Sequence, residues 1–287
     1  MPPDDPPQAE PAARRPPLLR ELLLIGALYT VYRLGRIAAE GHVPRAFRNA
    51  DDVWRLERFL HLPDEDGVQH LLLHSDLLVH TANAFYATVH FPATVLFLVW
   101  TYWRRPAHYV WIRRVLTVLT GAGLGLHLLL PLAPPRMLDA TGLIDTARVY
   151  GPAVYGDPDT DSLSNQFAAM PSLHVGWALT VAVGLIAATR GRWRWLWLLH
   201  PAVTYLVVVG TANHYWLDGI VAVALTGAAL LLLRPPGRKP AAPPGLPAPR
   251  TPVPAPLPTA TSTTTPAMTP AVRVRGPGAA PAAATAF

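Results

Sequence analysis

Cysteine is absent from all 287 residues, which excludes disulfide staples and thiolate metal sites. Charge is scarce as well: Asp, Glu, Lys and Arg make up 15% of the chain, where a soluble domain carries about 25%. The deficit falls in long apolar runs, and 51% of residues are hydrophobic, so lipid is the expected solvent. No Gly-x-Ser-Gly accompanies the histidines, which removes the intramembrane serine protease reading. A cleavable leader is not expected either. The first basic and apolar stretch, Arg14 to Ala39, lacks a small-residue cleavage site and reads as an uncleaved first span. The net charge of +6 does not point to nucleic acid, because the arginines sit in short links beside apolar runs, where they set topology.

Three regions follow from composition. Residues 1–17 are Pro-rich and residues 234–287 are dominated by Pro, Ala and Thr, and both are expected to be disordered tails that bury too little surface to offset chain entropy. Residues 18–233 hold the apolar material. The expected fold is all-α, an integral membrane bundle of about six helices over Leu18 to Ala39, Ala82 to Trp103, Val110 to Leu132, Pro171 to Thr189, Trp195 to Thr211 and Tyr215 to Leu233. Asp51 to Leu62 alternates Val53, Trp54, Leu56, Phe59 and Leu60 with charges, which suits an amphipathic helix in the interface. Direction comes from the links. Arg104, Arg105, Arg113 and Arg114, then Arg190, Arg192 and Arg194, then Arg234, Arg238 and Lys239 flank one set of helix ends. Asp139, Asp145, Asp157, Asp159 and Asp161 lie in the segment between the third and fourth spans. The positive-inside rule places both termini in the cytoplasm and the Asp-rich segment outside a multi-pass cell-membrane protein.

A polar or ionisable side chain at membrane depth costs about 2.5–3.5 kcal/mol and needs a reason. Here such groups gather at the outer ends of the expected helices. Asn83, Tyr86 and His90 are spaced to share one face of the second span, His127 and Arg136 flank the end of the third, Ser172 and His174 open the fourth, and His214 and Asp218 open the sixth. His214 and Asp218 are an i, i+4 pair, so the carboxylate can hold one ring nitrogen and leave the other as nucleophile or base. Ser172 follows Pro171 at a helix start, where unpaired N–H groups and the dipole favour an anion. His174, one turn in, is placed to protonate a leaving oxygen. Arg136 offers a permanent bidentate cation for phosphate.

Pro171-Ser172-x-His174 followed by His214-x-x-x-Asp218, each at the start of a span, resembles the type 2 phosphatidic acid phosphatase superfamily. Ala133-Pro134-Pro135 and the His-Tyr-x-x-Asp wording are most similar to its inositol phosphorylceramide synthase-like branch, and the similarity runs from roughly Glu21 to Leu233. The resemblance implies a six-helix membrane core and metal-independent, cofactor-free transfer from a lipid phosphate ester. It implies His214 as the nucleophile forming a phosphohistidine, Asp218 as its orienting carboxylate, His174 as general acid, and Ser172 and Arg136 as phosphate ligands. The chain departs from the family pattern where Leu129 and Val208 stand in place of a Lys and an Arg, Met137 in place of a Pro, and Leu173 in place of a Gly. Two cations are thereby lost, and Arg33, Arg36 or His90 is the expected replacement. The partners expected are membrane lipids and a lipid phosphate substrate. Water or a sugar or polyol hydroxyl could attack the phosphohistidine, and the sequence leaves hydrolysis and transfer both open, as it does the oligomeric state. A transporter, a zinc hydrolase on His90, His174 and His214, and a non-catalytic membrane protein are the competing classes.

Overall fold

The computed structural model describes residues 15–39, 43–152 and 166–236. The outer parts of both expected tails, residues 1–14 and 237–287, lie outside the described residues, as do Asp157, Asp159 and Asp161. Arg15 to Pro17, the end of the expected N-terminal tail, are tied to the bundle: Arg15 Nη2 donates to Trp103 O at 2.9 Å, and Tyr102 Oη donates to Pro16 O at 2.9 Å.

The described chain is helical, and a single isolated bridge, Leu132 to Ala168, is its only extended pairing. Ten α-helices follow in order: α1 (Leu18–Ala39), α2 (Val43–Phe59), α3 (Glu65–Leu73), α4 (Asp76–Thr88), α5 (His90–Arg104), α6 (Pro106–Leu129), α7 (Thr146–Tyr150), α8 (Leu173–Ala188), α9 (Leu199–Gly210) and α10 (Trp216–Leu232). Among them α6 alone is long and apolar enough to cross a bilayer by itself, and α4 with α5 qualifies as a bent pair. Helices α8 and α10, with 16 and 17 residues, are shorter; at 1.5 Å per residue they fall a little below a hydrocarbon core of about 30 Å.

Two expected spans are broken, and proline accounts for both. The stretch from Ala82 to Trp103 bends by 45° between α4 and α5. Pro92 has no N–H to offer the Thr88 carbonyl, and its ring crowds that carbonyl, so the ladder stops at Thr88 and resumes with Ala93 N donating to Val89 O at 3.0 Å. The stretch from Trp195 to Thr211 begins as a 3₁₀ helix, Arg192–Leu198, and becomes α-helical only at Leu199. Pro201 leaves the Trp197 carbonyl without its usual i+4 donor, and Leu199 N is shared between Leu196 O and Trp197 O.

The amphipathic helix also differs from the expected Asp51 to Leu62. It begins at Val43, and it buries Ala46, Ala50, Val53 and Glu57. The larger apolar side chains Leu56, Phe59 and Leu60 stay exposed. A face of small residues lets α2 approach the start of α10 closely, and it carries a carboxyl inward with it.

Helix α8 lies at the centre, touching α5, α6, α9 and α10. Its sequence is apolar on every side, as a helix enclosed by others requires. One end of the bundle is fixed by Trp111 Nε1 donating to Leu233 O at 2.6 Å and Arg105 Nε donating to Ala188 O at 3.3 Å, which brings the ends of α5, α8 and α10 level with the start of α6. The starts of α8 and α10 therefore share the opposite end with the close of α6. That end is sealed by a cluster of Ala46, Ala50, Val53, Leu132, Ala133, Ala169, Met170 and Tyr215.

Gly219, in the first turn of α10, is where α9 comes closest. A Cβ there would stand 2.2 Å from the Tyr205 ring, whose hydroxyl is itself anchored on Trp216 O. Gly219→Ala is expected to destabilise the protein by about 1–3 kcal/mol, the usual cost of overpacking, read as a lower midpoint in a detergent thermal melt.

Candidate active site

Five segments converge at the sealed end. The chain leaving α6 runs beside the chain entering α8, with Leu132 N donating to Phe167 O at 2.8 Å and Ala169 N donating to Leu132 O at 3.3 Å. That pairing fixes the Ala169 carbonyl. Ser172 N donates to Asp218 O at 3.0 Å, which couples the first turn of α8 to that of α10. Between these segments is a cavity of about 200 Å³ lined by Tyr86, His127, Pro134, Arg136, Gln166, Ala168, Ala169, Leu173, His174, Asn213 and His214.

The two imidazoles singled out in the sequence meet here. The rings of His174 and His214 lie 6.0 Å apart, centroid to centroid. His214 Nδ1 is 2.8 Å from Ala169 O and 3.2 Å from Asp218 Oδ2. Both partners are acceptors, so Nδ1 carries the proton and Nε2 keeps its lone pair. Asp218 is fully buried, and its Oδ2 also accepts from Tyr215 N at 2.9 Å, which closes the capping of α10 and fixes the carboxylate under the ring. It lies behind His214 rather than on the cavity wall.

His174 is held by its faces. Tyr86 stacks on it at 4.5 Å, and His90 lies against it at the same centroid distance. The break at Val89 separates Tyr86 from His90, so these two do not share one straight helix face, yet both reach His174 from either side of the bend. His90 does not line the cavity; it backs His174, and Trp177 backs His90 at 5.6 Å. His90, His174 and His214 are thus layered rather than convergent, and among the described residues no group of three His, Cys, Asp or Glu is arranged to hold a metal ion.

Arg136 lines the cavity, oriented by Asn213 Oδ1, which accepts from Nη1, and by Asp145 Oδ2 at 3.3 Å from Nε. Arg136 N also donates to Ala212 O at 3.1 Å, which pins the turn to the loop before His214. Ser172 sits beside the lining residue Leu173, with its Oγ buried and lacking a hydrogen-bond partner. The positions of the two missing cations are filled quietly: Val208 is buried and its carbonyl accepts from Asn213 N and His214 N, at 3.0 and 3.1 Å, while Leu129 O accepts from Arg45 Nη2 at 2.9 Å. Neither expected replacement on α1 is found at the cavity wall: Arg33 does not line it, and the side chain of Arg36 lies outside the described residues. Asn83 is structural, donating to Thr146 O and Gly151 O at 2.9 Å each and accepting from Thr146 Oγ1 at 2.8 Å.

Asp145, Asn213 and Gln166 were not among the sequence-derived site residues. Asn213 stands beside His214, and its adjacency was the one available signal; Asp145 reaches Arg136 only through the fold of the intervening loop.

No curated protein matches the chain, and no solved structure does. The family model described as the PAP2 superfamily matches residues 51–232, nearly two thirds of the sequence, from α2 to the end of α10 and including every residue lining the cavity. With that match over these helices and this histidine pair, the chain belongs to the PAP2 superfamily, a family of phosphatase-type enzymes.

Proposed function

We propose that this protein is an integral membrane phosphatase or phosphotransferase that takes a phosphoryl group from a lipid phosphate or diphosphate through a phosphohistidine on His214, without a metal ion. The observation that carries the reading is the pair His174 and His214, 6.0 Å apart on one cavity that Arg136 also lines. His214 Nε2 donates its lone pair to phosphorus, and the bond to the lipid alcohol breaks as His174 passes a proton to the departing oxygen. His174 then takes the proton of the attacking hydroxyl, that oxygen bonds phosphorus, and the P–N bond to His214 breaks. Water as attacker gives hydrolysis; a polyol such as inositol, or a sugar, gives transfer.

Arg136 and the starting turn of α8, with the buried hydroxyl of Ser172 beside the wall residue Leu173, supply the anion's surroundings. A volume of about 200 Å³ holds a phosphate and a small alcohol, leaving acyl chains outside, against the apolar flank. That flank is broad: Leu96, Leu199, Leu206 and Leu231 are each more than half exposed. Such a surface, on a chain with few charges, supports a bilayer setting, and the reading gives the chain six crossings. The arginines at 104, 105, 114 and 234 stand at the bundle end opposite the cavity, which supports a cytoplasmic position for that end and for both termini, and an extracytoplasmic active site.

The test of activity offers purified protein a lipid phosphate with and without inositol or a sugar, and follows free phosphate and new phosphodiester. Release or transfer by wild type, absent with His214→Ala, is expected; equal rates in both would overturn the assignment. The cysteine-free chain makes topology directly testable. In intact cells a membrane-impermeant maleimide should label an Asp139→Cys variant and spare Arg192→Cys, both at exposed positions. The reverse pattern would invert the orientation.

A further inference from the structure

Beneath the active site lies a second pair of buried groups, which the phosphoryl-transfer chemistry does not use. Glu57, on the inward face of α2, and Glu65, at the start of α3, are 0% and 2% exposed. Glu57 Oε1 accepts from Leu217 N at 2.6 Å, from a residue 160 positions away in the first turn of α10. This carboxyl thus satisfies one of the unpaired N–H groups at the helix start, a task usually left to a residue next to the helix. The same turn holds Asp218, and Asp218 holds His214.

Charge makes the pair unusual. The two carboxyls are within hydrogen-bonding reach of each other, and each has one buried oxygen, Glu57 Oε2 and Glu65 Oε1, with no donor from any neighbouring group. Two acceptor oxygens facing each other away from water repel unless a proton lies between them. Arg58 neutralises one side only: its Nη2 is 3.0 Å from Glu65 Oε2 and 4.0 Å from the nearest Glu57 oxygen, while its Nη1 is shared with Asp64 at 3.0 Å. The other titratable groups acting on Glu57 are Asp218 from α10 and, through their hydroxyls, Tyr205 from α9 and Tyr215 before α10. None of them brings positive charge.

We propose that Glu57 and Glu65 share one proton, held on Glu57, and that this neutral clamp on Leu217 N is a positioning device for Asp218 and His214. Glu65 keeps the negative charge that Arg58 balances. Because Glu57 is neutral, the group bonded to the first turn of α10 adds no second negative charge beside the Asp218 carboxylate that holds His214. The catalytic part of the inference rests on the phosphohistidine reading; the shared proton does not.

Burial first, and then the bond to Glu65, pushes the Glu57 carboxyl up from 4.5 to about 9. A carboxyl whose pKa rises on folding binds its proton more tightly in the native state. Its contribution to stability is therefore complete below pH 4.5 and is lost progressively as pH rises to about 9. Glu57→Gln supplies the same shape, an oxygen for Leu217 N and an N–H for Glu65, with nothing to titrate.

The test compares wild type, Glu57→Gln and Glu57→Leu, purified whole in detergent. Infrared difference spectra between pH 7 and pH 10 should show the carbonyl band of a protonated carboxylic acid disappearing in wild type, and that change should be missing in Glu57→Gln. The thermal midpoint should fall toward pH 9 in wild type and stay flatter in Glu57→Gln. With a lipid phosphate substrate, Glu57→Gln should match wild-type kcat near pH 7 and keep it at alkaline pH where wild type declines. Glu57→Leu, which leaves Leu217 N unpaired and shifts the turn, should lose up to about 100-fold in kcat with KM little changed. Identical infrared spectra in wild type and Glu57→Gln would overturn the shared proton even if Glu57→Leu failed to fold. Wild-type kcat in a folded Glu57→Leu, or the same alkaline decline in Glu57→Gln, would overturn the positioning role. If His214→Ala retained turnover, the phosphohistidine reading would fall separately, and the infrared result would still decide the proton.

Discussion

His214→Ala is expected to lower turnover of a lipid phosphate by at least about 10⁴-fold while the protein still folds and inserts, because removing a covalent nucleophile leaves only binding and electrostatic assistance. The surroundings of the ring give that expectation its direction. Ala169 O can only accept, and Asp218 Oδ2, which also takes Tyr215 N, stands on the same side of the ring, so the proton sits on Nδ1. Nε2 is left aimed at the cavity where His174 and Arg136 also end. A labelled lipid phosphate, quenched rapidly, should leave acid-labile, base-stable label on wild type and none on His214→Ala. Replacing His174 alone, with an aryl phosphate donor whose leaving oxygen needs no proton, should slow the second step and raise the trapped amount. Label that persists in His214→Ala would assign the nucleophile elsewhere, and the layering of His90 against His174 makes His174 the next candidate.

The sequence shows the polar groups gathered at the cavity end more clearly than what supports them. His174, Ser172, His214 and Asp218 are legible because each sits in the first turn of an apolar helix, where spacing alone decides which side chains share an end and which carboxylate can reach which ring. The helical class is legible for the same reason, since long apolar runs without alternation leave few other structures. What is not legible depends on pairing across long separations. Glu57 reads as one more charge in an amphipathic stretch, and only the arrival of Leu217 N shows why it faces inward. Asp145 looks like one aspartate among several until the loop brings it to Arg136.

Two other readings turn on local rules. Pro92 lies inside an apolar run long enough to span a bilayer, so hydropathy conceals the bend that its missing N–H imposes. That bend also changes what His90 does. On a straight helix it would join Asn83 and Tyr86 along one face; across the break it supports the far side of His174. Charge counting alone points to Arg33 and Arg36 on α1 as replacement cations. The cavity wall shows instead a single guanidinium among the described residues, with carbonyl acceptors and buried valine occupying the neighbouring family positions.

His174→Asn carries the second large expected effect, and its size should depend on the substrate. For a lipid phosphate with an alkyl alcohol as leaving group, loss of the general acid is expected to cost about 10²–10⁴-fold in kcat/KM, which reports the first transfer, since an alkoxide must otherwise depart unprotonated. For an aryl phosphate the leaving oxygen is stable without a proton, and the same substitution should cost far less. That contrast separates proton donation from packing. His174 is sandwiched by Tyr86 and His90 at 4.5 Å each, so a purely structural loss would loosen both neighbours and slow every substrate alike. Asn retains polarity and part of the ring's volume while removing the transferable proton, which keeps the sandwich closer to its native shape than Ala would. Measured side by side, equal losses on alkyl and aryl phosphates would assign His174 to the scaffold. A loss confined to alkyl substrates would place the His174 proton on the leaving oxygen; the two rings, 6.0 Å apart, leave room for a phosphorus atom and its oxygens between them.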